Sequence, residues 1–276
     1  MTDTNSISGF WNWTSPAWIV ALIGLALYWR LFGRPDRRRM WPLLFATLAF
    51  VAVFVTPVGK LADGYLFSAH IVQHLMLLLL VPMCLLLSLP GDRVGFLLKR
   101  EPLRRLPAVR FFPLIGWICG LGAMWFWHVP DLCSLSAQNL SVGRLRDTTF
   151  VLAGLMFWWP IYSPLAQQRL EPLQGVGYLF SACLGCTLLG IYITFTTVSV
   201  CPVFANPANQ LTWLRDMGLT PAVDQQLGGL LMWVPPCTLY ICAILSILRR
   251  WYSAPDEIPR QTDRKVAGAI AMESSA

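Results

Sequence analysis

Residues 66–89 read LFSAHIVQHLMLLLLVPMCLLLSL, an apolar run whose basic side chains are His70 and His74 alone and which has no acidic one. As a helix it is long enough to cross ~30 Å of hydrocarbon. It lacks the strict alternation of a barrel strand, so a helix is the expected form. Six further apolar stretches accompany it, at about 16–32, 41–57, 112–130, 148–164, 177–199 and 227–248. The stretch at 148–164 is crowded at its start by Arg144, Arg146 and Asp147. The expectation is an all-α polytopic membrane helix bundle of about seven transmembrane helices. Residues 1–252 would form a single domain, and 253–276 a polar tail too poor in apolar groups to order itself.

Composition excludes the soluble alternatives. Hydrophobic residues make up 56% of the 276 and charged residues 13%, about half the charge of a globular norm. The 13 Trp suit a chain whose amphipathic rings sit at headgroup level. A net charge of +7 could signal nucleic acid, but the basic residues fall in short runs between apolar stretches. They act as topology signals, and no nucleic-acid partner is expected. The lysines and arginines divide 17 to 4 between the two sides of the bundle, which predicts the N-terminus outside and the C-terminus in the cytoplasm. No signal peptide is recognisable at MTDTNSISGF.

All three His fall on the outer side of that topology. His70 and His74, spaced i, i+4, share one helix face about 40° apart, with His74 roughly 12 Å along the span. Ionisable groups at such depth are costly and mark function, and two imidazoles on one face suit Cu, Zn or Fe. The alternative is a neutral pair bonded to neighbouring helices. His128, in MWFWHVPD at residues 124–131, is either an interfacial residue or a third ligand. It reaches His70 only where the third and fourth spans are adjacent. Asp224, in TPAVDQQLGG at residues 220–229, either complements the dipole of a helix begun by Pro221 or serves a site. Cys183 and Cys186 form a CxxC inside the sixth span, where packing of small residues is the plainer reading. Cys133 and Cys201 lie outside, as thiol ligands or as a disulfide. Met76, Met83, Met124 and Met232 could offer thioethers to Cu(I), or simply pack.

Several chemistries fail on residue type. HIVQH places Ile71 where a zinc protease needs its general-base Glu. The seventh span has no Lys for a retinal Schiff base, and phosphate-binding loops are absent. His70 and His74 share a helix face and cannot clamp one haem from opposite sides.

Four blocks carry a closer likeness: AHIVQHLMLLLLVPMCLLLSLPG, WFWHVPDLCSLSAQN, FVLAGLMFWWPIYSP and DQQLGGLLMWVPP. In this order they resemble the polytopic CtaG family of cytochrome c oxidase assembly factors. The resemblance implies seven spans in a bacterial inner membrane and maturation of a haem–copper oxidase at its copper centre. The protein would be no enzyme. The implied partners are cytochrome c oxidase subunits, a copper donor protein and the lipid bilayer. The family's motif positions fall on His70, His74 and His128, with its acidic position on Asp224, and copper as the metal. A second HxxxH of the family reads GRLRD here, with Gly143 and Asp147 in place of His. Two other classes stay open: a small-solute or copper transporter using the kinked seventh span, and a metal-free scaffold for oxidase subunits.

Overall fold

The computed structural model describes residues 7–99, 112–206 and 211–253, and every extended element among them is helical. After a 3-10 turn at Ile7–Phe10 come α1 (Ala17–Phe32), α2 (Arg37–Val55) and the short α3 (Pro57–Ala62). Helix α4 (Phe67–Leu75) continues through a π-helical segment, Met76–Leu80, into α5 (Val81–Ser88). Then follow α6 (Gly91–Leu98), α7 (Phe112–Trp127), α8 (Pro130–Gln138) and α9 (Leu140–Tyr162). The chain ends its described part with α10 (Pro172–Phe195), α11 (Thr212–Asp216) and α12 (Pro221–Tyr252).

Each of the seven apolar stretches coincides with a helix, but they differ in capacity to cross a bilayer. Four are long and apolar enough alone: Arg37–Val55, Phe67–Ser88, Pro172–Phe195 and Pro221–Tyr252. A fifth arises if α7 and α8 are one broken span, since they meet at 79°. Helix α1 is apolar but shorter, and the 23 residues of α9 include Arg144, Arg146 and Asp147. The described helices thus establish a membrane protein with four to five candidate spans. The tail beyond Ser253 lies outside the described residues.

Helix starts differ from the apolar boundaries for local reasons. Pro130, Pro172 and Pro221 each occupy the first turn of their helices, where a missing N–H costs nothing. Helix α9 begins well before the apolar stretch because Asn139 caps it. Its Oδ1 accepts from the main-chain N–H groups of Ser141 (2.9 Å) and Val142 (3.2 Å). The π segment has a cause too. Pro82 cannot donate to the Leu78 carbonyl, and its ring would crowd that oxygen; widening the turn relieves both. Gly154 of α9 sits on this spot, where a Cβ would meet the Leu78 carbonyl oxygen and the Pro82 ring.

The α4–α5 run is the axis of the bundle. Its most apolar window is 61% buried, against 28–33% for the other three spans. Helix α12 packs on α4, α2 on α5, and α9 on the π segment and α5, while α10 pairs with α12 and α7 with α9. Helices α10 and α12 approach backbone to backbone: a Cβ on Gly190 would lie 3.0 Å from the Gly229 carbonyl oxygen. Small residues allow this contact where lipid offers no hydrophobic drive. Outward faces carry Leu22, Ile23, Leu48, Leu114, Leu188 and Leu245, all exposed. Such a surface needs an apolar solvent.

Candidate metal site

Helix α4 owes its start to a residue far along the chain. Leu66 precedes it in extended conformation and offers no side-chain cap. The first N–H groups of α4 are instead taken by Asp224 of α12. Its Oδ2 accepts from Phe67 N–H (2.6 Å) and its Oδ1 from Ser68 N–H (3.1 Å). Asp224 is buried, so its charge is balanced by these donors and by the positive end of α4. Gly228, one turn further on, leaves room for the Phe67 ring against α12. Asp224 therefore fixes the height and rotation of the helix that carries His70 and His74.

The three His come together. His70 and His74 are fully buried, with ring centroids 4.0 Å apart. His128 occupies the break between α7 and α8, and its ring lies 5.4 Å from that of His74. Phe150 of α9 lies 4.4 Å from the His74 ring, and Phe204 lies 5.1 Å from that of His70. Aromatic carbon forms part of the cluster's wall.

Its hydrogen bonding is incomplete. His128 Nδ1 is 2.6 Å from the Met124 carbonyl oxygen, which accepts only if Nδ1 carries the proton. That leaves a bare lone pair on Nε2, which is buried without a partner. Neither nitrogen of His74 has a partner. His70 Nδ1 lies 3.3 Å from the Ala62 carbonyl oxygen, and its Nε2 faces Cys133 Sγ at 3.8 Å. Main-chain carbonyls, rather than Asp224, thus orient the imidazoles of His70 and His128. Both Asp224 oxygens hold α4 instead, so the expected fourth ligand position is engaged elsewhere. Among the described residues no group of three or more His, Cys, Asp or Glu has its donor atoms arranged to hold a metal as they stand. The donor chemistry suits a soft or borderline cation; convergence needs the rings to turn. His74 has no hydrogen bond to break in turning.

A second polar group borders the first, and sequence reading missed it. Arg146 is 2% exposed. Its Nε and Nη2 donate to Asp147 Oδ1 (3.0 and 2.8 Å), Nη2 also to Gln73 Oε1 (3.1 Å), and Nη1 to Ser136 Oγ (3.2 Å). Nη1 lies 3.5 Å from His70 Nδ1. Gln73 Nε2 in turn donates to the Val53 carbonyl (3.2 Å). Taken as an outer-loop topology charge, Arg146 escaped notice. The signal was periodicity: it falls on the stripe Gly143, Arg146, Phe150, Ala153, Phe157, all buried.

The cysteines resolve into two bridges. Cys133 of α8 is joined by a disulfide to Cys201, which precedes a 3-10 turn at Pro202–Ala205. Cys183 is paired with Cys237 of α12, whereas Cys186 is a free thiol 3.8 Å from Tyr240 Oη. The CxxC does not close on itself; its halves meet different residues of α12. Met124 and Met232 are fully buried in the core, and Met76 and Met83 partly so.

Fold and cluster together define a polytopic helical membrane protein with buried imidazoles between its helices. The sequence profile of the cytochrome c oxidase caa3 assembly factors (Caa3_CtaG) matches residues 18–254, and the chain belongs to that family. It is similar to the uncharacterized protein ML1998 of Mycobacterium leprae, 23% identical over 84% of this chain and 38% of that protein. It is likewise similar to the uncharacterized protein Mb0105 of Mycobacterium bovis, 23% identical over 90% of this chain and 40% of that one. The chain thus spans about two fifths of the length of these curated relatives. No solved structure matches it significantly.

Proposed function

We propose that the protein assists assembly of a haem–copper cytochrome c oxidase by holding copper as cargo at an outward-facing site of His70, His74 and His128, and passing it on without catalysis. Family membership supplies the client. One observation supports the site: His74 Nδ1 and Nε2 and His128 Nε2 are buried with no hydrogen-bond partner. A buried polar atom left bare costs about 1–3 kcal/mol, and an ionisable group held at such depth in a membrane is a functional-site candidate. The tautomer that donates Nδ1–H from His128 to Met124 leaves its Nε2 lone pair available, and the tautomer of His70 that donates to Ala62, in place of accepting from Arg146 Nη1, does the same. This is the support a metal-bound imidazole receives from a carbonyl behind it. Asp224 acts by positioning α4.

An incomplete ligand shell suits cargo, because copper must leave. In this reading all seven helices cross a bacterial inner membrane, including α1, the α7–α8 pair and α9. The skewed Lys/Arg count puts the N-terminus outside, and the His cluster then faces the compartment where a copper donor protein and the oxidase subunits would meet it. The test is in the native host: His74→Leu should lower the copper content and activity of the oxidase while the protein still accumulates in the membrane. Unchanged oxidase copper in that strain would contradict the proposal.

A further inference from the structure

The Cys133–Cys201 disulfide borders the imidazoles, and both cysteines are buried, at 0% and 2% exposure. Cys133 Sγ lies 3.8 Å from His70 Nε2, the nitrogen left free when Nδ1 donates to Ala62. Beyond Cys201, Phe204 packs on the His70 and Phe67 rings at 5.1 and 5.7 Å. The bridge therefore ties α8, at the His128 break, to the segment that roofs His70. A sulfur in a disulfide is a poor ligand, whereas a thiolate is a strong one for Cu(I). The other bridge, Cys183–Cys237, lies between α10 and α12 near Thr187, with no contact to an imidazole.

We propose that this disulfide is a redox latch on the His site, with Cys133 as its fourth, conditional ligand. The inference rests on the imidazole site proposed above. A dithiol reductant attacks the bridge and leaves as its own disulfide; its two electrons and two protons become the thiols of Cys133 and Cys201. Cu(I) then displaces the proton of Cys133 and is held by sulfur beside the three imidazoles. Re-formation of the bridge by a disulfide donor, reduced in turn to a dithiol, withdraws the thiolate and weakens the hold on copper. An outward-facing site is where such exchange can occur.

The experiment uses the full chain in detergent, with Cu(I) kept reduced by ascorbate and contested by a chromophoric Cu(I) chelator. Cys201→Ser leaves a permanent Cys133 thiol and is compared with the oxidised wild type, with Cys133→Ser/Cys201→Ser and with His70→Ala/His74→Ala. The single variant should hold Cu(I) about tenfold or more tighter than the oxidised wild type. Its copper X-ray absorption should show a sulfur neighbour that the double cysteine variant lacks. Wild type reduced by a dithiol in a Cys183→Ser/Cys237→Ser background gives the same readout with both Cys133 and Cys201 present. Equal affinity in the oxidised, reduced and double-cysteine forms, without sulfur scattering, overturns the latch. If copper is then still lost in His70→Ala/His74→Ala, the imidazole site stands without it. Copper retained by the His variant overturns both.

Discussion

Two buried polar groups lie side by side in this bundle, and they are treated oppositely. Around Arg146, every charge is answered: Asp147, Gln73 and Ser136 share its donors, and Gln73 passes the chain on to Val53. Around His74, one turn along α4 from His70, both ring nitrogens are bare, as is Nε2 of His128. The first group holds helices in place, and the second leaves its ring nitrogens unused. The contrast also separates residues whose substitution should cost stability from those whose substitution should cost function.

The largest effect should come from breaking the satisfied group. Arg146→Ala leaves the half-buried Asp147 carboxylate, with Gln73 and Ser136, without its donor and should cost about 3 kcal/mol, read as a lower unfolding midpoint in detergent. Arg146→Ala/Asp147→Ala should cost less than the single variant, because no charge is then stranded. A double variant worse than the single one would show that the pair does not act as a unit.

Next in size is the helix contact that shapes the cluster's support. At Gly229 an added Cβ would meet the Thr194 Oγ1 and main-chain N of α10. Gly229→Ala should therefore destabilise by about 1–3 kcal/mol, and thermal unfolding should show it. Asp224→Asn comes third. An amide oxygen can still accept one of the two α4 N–H groups but lacks the charge, so a loss of about 1–2 kcal/mol is expected. Copper should fall with it only in part, since Asp224 acts through the position of α4. A complete loss of copper with stability unchanged would make the carboxylate a ligand.

The smallest effect on stability belongs to the group proposed for function. His74→Leu removes two unpartnered nitrogens and fills the volume with carbon, so stability should change by less than about 1 kcal/mol, or rise. Copper retention should nevertheless be lost. A strongly destabilised His74→Leu protein would mean that the imidazole is structural, and would collapse the contrast between the two groups.

Much of this was legible in the sequence. All seven apolar stretches lie in helices, because ~17–24 apolar residues leave the backbone little alternative in lipid. The pairing of His70 with His74 followed from helical spacing, but His128 joins them from the break after α7, a helix that packs on α9 rather than on α4 as the adjacency of consecutive spans had suggested. The helix starts at Leu140 and Pro172 were placed too late, since hydropathy does not see a cap or a proline at the first turn, whereas Pro221 was legible as a helix start. Crossing capacity is also less uniform than the apolar runs imply, because α9 carries charge inside the protein and α7–α8 is broken at His128. Asp224 was read as complementing its own helix or as a carboxylate of the metal site; it caps α4 instead, a partnership across 157 residues that no local pattern encodes. Arg146 was read as a topology charge because counting rules ignore helix faces. The pairing of Cys133 with Cys201, 68 residues apart, depends on the fold alone.

If the bare imidazole nitrogens are a copper site, the purified protein must hold copper through them. Copper per chain, measured on detergent-purified protein after Cu(I) loading under reducing conditions, tests it most directly. The wild type should retain stoichiometric copper and His70→Ala/His74→Ala should retain none. Copper absent from both, or equal in both, would contradict the account and leave the family's role in oxidase assembly to be served by a metal-free scaffold.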